Sequence, residues 1–407
     1  MNRKLKIVLL VQVAILLVLL LVVLISNKGP TSNVSDDLDK ENIIDNINDD
    51  SSKTNDINFE DEYGQAKDPE DNTGENGEEL TQEEEEEPIL PEPIVLAFAG
   101  DINFDENSKP IARYDRENKG ILGAISEDLV EEMNNADIFM LNNEFAYSTR
   151  GSRIQEKSYT FRANPKRVDI LKEMGVDIVS LANNHALDYG VDALLDTFTT
   201  LEEAGIDYVG AGVNIDRAKA PIYYTINDTT IAYVAASRVI YAMDWYASDT
   251  RPGMIGTYDP ALFVESIKEA KENSDFVVAY VHWGKENTHE LLDYQINMAK
   301  IYIDAGADAV IGCHPHVMQG IEFYKGKPIA YSLGNYWFNS SKRESGLLKI
   351  YLNPDKSTDV QLLPVMNDSA YTYQITEQKK KEDYYKFMEN ISYGVKFDKE
   401  GFVTEKQ

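Results

Sequence analysis

From residue 94 onward the chain repeats one pattern, a short apolar run leading into a polar cluster. IVLAFAG runs into Asp101 and Asn103, IFML into Asn142-Asn143-Glu144, and IVSLA into Asn183-Asn184-His185. FVVAYV then runs into His282-Trp283-Gly284, AVIG into His314 and His316, and PIAYSL into Gly334-Asn335. Uninterrupted apolar runs of this length predict strands buried on both faces, as in α/β proteins.

Three apolar runs, two of them among these six, share an entry signal: Gly175, Gly205 or Gly306, then an apolar residue, then Asp177, Asp207 or Asp308. A glycine there suits a helix end that needs a left-handed residue. After Gly190, Val191, Leu194, Leu195, Phe198 and Leu201 fall on one helical face. Helix, glycine, strand and polar loop in succession predict crossover units and a largely parallel sheet. Ligand sites in such sheets lie beyond the carboxyl ends of the strands, where all six polar clusters fall. Two hairpins, around Asn227-Asp228 and Lys325-Gly326-Lys327, predict antiparallel strands at sheet edges. Beyond Pro364 the chain is polar and aromatic, with one helix expected near Tyr384 to Met388.

The first 93 residues follow a different pattern. Arg3, Lys4 and Lys6 precede a run of 19 residues, Ile7 to Ile25, broken only by Gln12. A helix needs about 20 apolar residues to cross a bilayer. The flanking bases hold that end in the cytoplasm, which places the remainder outside the cell. An uncleaved signal anchor is expected over 1–30, with a cleaved signal as the alternative. Residues 31–93 carry 23 acidic residues against three lysines and end in the run Glu83 to Glu87 and PILPEP. So little apolar surface predicts a disordered acidic linker. The expected divisions are therefore 1–30, 31–93, a folded domain over 94–365 and a partly helical extension over 366–407.

Charge and cysteine usage narrow the function classes. The net charge is −31, and even the folded part has 47 acidic against 32 basic residues, so no basic face for nucleic acid is expected. A single cysteine, Cys313, excludes an internal disulfide.

Four of the five histidines, His185, His282, His314 and His316, stand at strand ends of one polarity, and His289 is read as surface. With Asp101, Asn103, Asn142, Glu144, Asn184 and Glu286 they form a mixed oxygen and nitrogen set. Such a set suits one or two divalent ions of manganese, iron or zinc. Two ions in such a site activate water and steady an in-line displacement at phosphorus. Taken singly, each residue has a structural alternative: a turn cap for Asp101, a surface pair with Arg150 for Glu144, a loop bond for Asn184, a core position for His282. The concentration of histidines favours the metal centre.

The series GDINF, NNEF, FRANP, SLANNHALDYG, HWGKE, GCHPHVMQGIE and YSLGN, running in that order from about Ile94 to Asn335, resembles the CapA family of bacterial poly-γ-glutamate capsule synthesis. That family is similar in turn to calcineurin-like metallophosphatases. The resemblance implies a four-layer αββα sandwich with two mixed sheets. It implies metal ligands at Asp101, Asn103, Glu144, Asn184, His282, His314 and His316, and a catalytic His185. Arg162 is a candidate for gripping an anionic substrate, with Glu286 and Asn335 beside it. Two departures stand out: Asn103 replaces an expected histidine, and the bridging carboxylate is the longer Glu144.

The implied function is a single-pass protein of the cell membrane, its C-terminal domain extracellular. It would assist synthesis, export or attachment of an anionic polyglutamate polymer alongside membrane polymer-synthase subunits. The alternatives are a non-catalytic accessory subunit that binds polymer or synthase, and a general cell-surface metallophosphodiesterase.

Overall fold

The computed structural model describes residues 92–406. The expected membrane anchor and nearly all of the expected linker lie outside them. Among the described residues no helix is long and apolar enough to cross a membrane.

Two mixed sheets form the body. Fourteen strands build them: β1 (Ile94–Ile102), β2 (Ile138–Asn143), β3 (Ile178–Ser180), β4 (Asp207–Val209), β5 (Ile222–Ile226), β6 (Thr229–Ser237) and β7 (Phe276–His282), then β8 (Ala309–Cys313), β9 (Met318–Tyr324), β10 (Lys327–Leu333), β11 (Asn335–Trp337), β12 (Arg343–Leu352), β13 (Thr358–Asp368) and β14 (Tyr371–Gln374). The first sheet has the order β14-β13-β12-β1-β2-β3-β4, with β11 also paired to β1. Its β1 to β4 are parallel, and β12 to β14 return antiparallel. The second sheet has the order β9-β10-β8-β7-β6-β5, parallel at its centre. Both expected hairpins are present, and each supplies an edge strand of this sheet, β5 and β9.

Alternation along the strands fixes the layers. In β6 and β7, Ile231, Tyr233, Val278 and Tyr280 face the first sheet's core, while Val234, Val277 and Val281 face the other way. There they meet Phe263 and Ile267 of α5 (Ala261–Glu272) and Tyr302 of α6 (Asp293–Ala305). The Tyr280 hydroxyl crosses between the sheets and donates to the Ala99 carbonyl at 2.7 Å. On the far face of the first sheet Lys349, opposite Ala97, reaches Glu132 of α2 (Glu127–Asn134) at 2.7 Å. Helices therefore cover the outer face of each sheet.

The aspartates that open the strands have a structural task. Asp137, Asp177, Asp275 and Asp308 each accept the backbone N–H of Val95, Phe139, Thr230 and Val277 on the neighbouring strand, at 2.8 to 3.0 Å. Each carboxylate thereby satisfies a donor at the neighbour's start and sets the register.

Gly175, Gly205 and Gly306 all have positive φ, as their place after helices predicts. The helix after Gly190, α4 (Val191–Ala204), buries Leu194, Phe198 and Leu201. Val191, in its first turn, stays 38 % exposed. Strand β13 runs through the boundary expected at 365–366. The expected C-terminal helix is α7 (Gln378–Ile391), whose Tyr384 hydroxyl donates to the Ser345 carbonyl at 2.7 Å.

Candidate metal centre

The carboxyl ends of β1, β2, β7, β8 and β10 meet at one rim. Close backbone approach makes this possible: a Cβ on Gly100 would lie 2.0 Å from the Gly334 carbonyl oxygen. That contact presses the end of β1 against the corner between β10 and β11, and Asp101 N–H donates to Gly334 at 3.0 Å. Asp101 is fully buried. Its Oδ1 accepts from Asn142 Nδ2 at 2.8 Å, and its Oδ2 accepts from the His314 backbone N–H at 3.2 Å and lies 3.3 Å from His316 Nδ1. Asn183 steadies Asn142 in turn, donating to its Oδ1 at 3.1 Å.

The turn after β8 aims the histidine pair. His314 and His316 have φ of 95° and 59°, left-handed values that cost a side-chain-bearing residue energy and collect at functional sites. His316 Nδ1 donates to Asn335 Oδ1 at 2.8 Å, which leaves Nε2 facing inward.

Glu144 stands where these groups converge. It is fully buried, and neither carboxylate oxygen has a hydrogen-bond partner. Its Oε1 lies 3.9 Å from His185 Nε2, 3.8 Å from His282 Nε2 and 3.9 Å from His316 Nε2. Those gaps exceed a hydrogen bond. Two ligands on one ion, each about 2.0–2.2 Å from it, sit roughly 3–4.4 Å apart, and the observed spacing falls in that window. His314 Nδ1 is likewise buried without a partner, and its ligand atom lies within 4.8 Å of those of Glu144 and His316. Asn184 Oδ1 is 2.7 Å from His282 Nε2. The donor set and its orphaned atoms fit a divalent cation.

Beside the carboxylate sits a histidine held from behind. His185 Nδ1 donates to Asp188 Oδ2 at 2.6 Å, so Nε2 presents its lone pair to the centre. The Phe161 ring lies against the imidazole at 4.3 Å, and Phe161 N–H also donates to Asp188 Oδ2. Lys157 reaches Asp188 Oδ1 at 2.5 Å.

Other expected site residues are placed differently. Asn103 is buried at the rim, but its Oδ1 accepts from Asp105 N–H at 2.8 Å and its Nδ2 reaches the Glu144 carbonyl at 3.4 Å. The carboxamide thus braces the loop that carries Glu144. Arg162 lays its guanidinium on the Tyr189 ring at 4.1 Å and donates to the Arg150 carbonyl. Glu286 is exposed, yet near enough for its charge to act on Glu144. Arg150 pairs with Asp192 and Asp196, leaving Glu144 without that surface partner. His289 is exposed, as expected. Lys157, Asp188 and Cys313 join the site without having been expected there. Cys313 Sγ lies 3.2 Å from His282 Nδ1, and its ligand atom clusters with those of Asp101 and His282.

Burial and charge act in opposition. Burial, then repulsion from Asp101, pushes the Glu144 carboxyl well above its usual range. Burial also opposes ionisation of Asp101, but bonds from His316 and Asn142 hold its carboxyl below the usual value. Burial moves His282 well below the usual imidazole value, His314 down to about 3 and His185 down to about 4. For His316 burial is outweighed by Glu144 and Asp101, which push it up to about 10. Three of the four imidazoles are thus neutral at pH 7, the form that binds metal.

Residues 95–340 match the family described as "Bacterial capsule synthesis protein PGA_cap". The chain is 36 % identical over 214 residues to the PGA biosynthesis protein CapA of Bacillus subtilis, covering 52 % of this chain and 56 % of that one. It is 33 % identical over 217 residues to the capsule biosynthesis protein CapA of Bacillus anthracis, covering 52 % of each. The chain thus spans about half the length of the curated relatives it matches. Among solved structures, the NAD nucleotidase of Haemophilus influenzae overlays with a TM-score of 0.42 at 10 % identity, covering 74 % of this chain and 63 % of that one, a likeness too slight to carry an argument. With the match running through every strand end that builds the rim, the chain belongs to the bacterial capsule synthesis family PGA_cap.

Proposed function

We propose that this chain serves poly-γ-glutamate capsule synthesis as a membrane-anchored, extracytoplasmic protein with a metal-dependent hydrolase or transferase centre of metallophosphatase type. The observation that carries the reading is Glu144, a buried carboxylate without a protein partner, facing three imidazole Nε2 atoms at 3.8–3.9 Å. Left alone, such a group costs about 1–3 kcal/mol or more in lost hydration. A chain retains it where something else satisfies it.

Asp101, Glu144, Asn184, His282, His314 and His316 would hold one or two ions of manganese, iron or zinc. When bound, the ion supplies Lewis acidity and a more acidic water for attack on a phosphate or amide bond. The chain's own residues do the rest. Asn142 and Asn335 orient Asp101 and His316 from outside the ligand set. His185, its Nδ1–H fixed by Asp188, presents the lone pair of Nε2, which can take a proton from the attacking water and pass that proton to a leaving oxygen. The polymer and the membrane synthase subunits are the proposed partners.

One observation favours a second reading, a non-catalytic accessory subunit. Asn103 stands where the resemblance expects an imidazole, and its carboxamide is committed to its own turn. Cells carrying His316→Ala test both readings when polymer output and metal content of the purified variant are measured together. The catalytic reading expects both to fall. Full polymer output from a metal-free variant would leave only the accessory role.

A further inference from the structure

Lys157 is a lysine buried against the candidate centre, and neither the family resemblance nor the strand-end pattern points to it. It lies in the irregular stretch between Tyr147 and Arg162, 31 residues before Asp188. Only 10 % of its side chain is exposed. Burying an ammonium is costly unless its protons find acceptors. Here they do: Nζ donates to Asp188 Oδ1 at 2.5 Å and to the backbone carbonyl of Asn184. Its remaining side faces the rings of Trp245 and Tyr241, at 5.4 and 5.8 Å.

The acceptors decide what the lysine does. Asp188 has two oxygens, and Lys157 occupies Oδ1. That leaves Oδ2 to His185 Nδ1 at 2.6 Å and to Phe161 N–H at 2.8 Å. A carboxylate only accepts, so His185 Nδ1 carries the hydrogen and Nε2 is left bare toward Glu144. Lys157 Nζ is also 3.2 Å from His185 Nδ1, but that nitrogen has no lone pair to offer in this tautomer. The second bond, to the Asn184 carbonyl, fixes the peptide from which Asn184 and His185 project. One ammonium therefore ties down the backbone of the proposed ligand Asn184 and the carboxylate that sets the tautomer of His185.

We propose that Lys157 is a positioning residue of this centre, locking the Asn184-His185 peptide and the Asp188 carboxylate so that Asn184 Oδ1 meets His282 Nε2 and His185 Nε2 faces Glu144. The proposal rests on the metal-centre reading above. A purely structural lysine would contribute to stability without setting a tautomer two bonds away.

The test uses the full-length chain with 15N-labelled histidine, stripped of metal, with His185→Gln to assign the His185 signals. The native chain is expected to show His185 as the Nδ1–H tautomer. Lys157→Met, of similar length but uncharged, is expected to lose that single tautomer and to bind zinc about 10-fold more weakly by titration, the usual scale for removing a group that orients a ligand. A single Nδ1–H tautomer and zinc affinity within twofold of native in Lys157→Met would overturn the proposal. Should Lys157→Met not fold, Lys157→Gln is read by the same two criteria. A native chain that binds no zinc sinks the metal-centre reading alone, and the tautomer result still decides the role of Lys157.

Discussion

Replacing Glu144 by glutamine should make the metal-free protein more stable and the metal-supplied protein less responsive. Glu144→Gln preserves the shape of a fully buried side chain while removing a carboxylate whose two oxygens have no partner. It also removes the repulsion from Asp101. The attraction of Glu144 for His316, the strongest of those that keep this buried imidazole charged, is lost as well, and Asp101 at 3.3 Å and Asn335 at 2.8 Å remain to hold it. The neutral amide brings N–H donors that the bare Nε2 of His185 can accept. Pairing one buried group in this way is worth about 1–3 kcal/mol, so the metal-free variant should gain stability, with that scale as the upper bound once the loss to His316 is subtracted.

Metal binding should move the other way. Saturating a site at 100 times its dissociation constant stabilises by about 2.7 kcal/mol. If the variant binds about 100-fold more weakly, the same metal concentration stabilises it by only about 0.4 kcal/mol. Calorimetric scans of both proteins, with chelator and with excess zinc or manganese, read the two effects separately. An ordinary core residue would give a variant that is destabilised in chelator. That outcome, or an undiminished response to metal, would refute the reasoning.

Two other predictions concern the frame around the site. Gly100→Ala places a Cβ 2.0 Å from the Gly334 carbonyl oxygen, a backbone atom that cannot step aside, so urea unfolding should show a loss of about 1–3 kcal/mol or more; an unchanged midpoint would contradict the contact between β1 and the β10–β11 corner. Arg167 grips Glu106 and Asp115, and burial of Glu106 notwithstanding, its bonds hold both carboxyls below their ordinary values of 4.5 and 3.8. Depressed carboxyls stabilise above their unfolded pKa, and that contribution is lost as pH falls through the folded values. Arg167→Met should therefore be less stable than the native chain at pH 7, with the difference closing below about pH 4. Urea midpoints followed from about pH 7 down to about pH 2 check it, and a gap that does not narrow anywhere below about pH 4 would assign the effect to packing.

The strand ends were legible because burial on both faces writes itself as an unbroken apolar run, and a polar cluster after such a run marks the open edge of a sheet. The hairpin turns were legible because Asn227-Asp228 and Lys325-Gly326 supply the positive φ that tight turns need. Lys157 and Asp188 were not. Asp188 sits in a loop, in LDYG, where an aspartate ordinarily reads as a turn residue. Lys157 belongs to a stretch with no periodicity, and only the folded chain brings it to its acceptors. Asn103 shows the converse limit: residue type and position suggested a ligand, but the choice between ligand and loop brace depends on Asp105 N–H lying 2.8 Å from its oxygen. Exposed Val191 marks a third, since a helical face says which residues share a side and not how deeply each is buried.

The central claim is that the strand ends of both sheets close around a cation at Glu144. Anomalous diffraction from crystals grown with manganese or zinc, recorded on both sides of the metal edge, locates such an ion directly. The account predicts a peak among Glu144 Oε1, His282 Nε2 and His316 Nε2. Crystals with no peak there, or with metal bound only at the acidic surface, would contradict it.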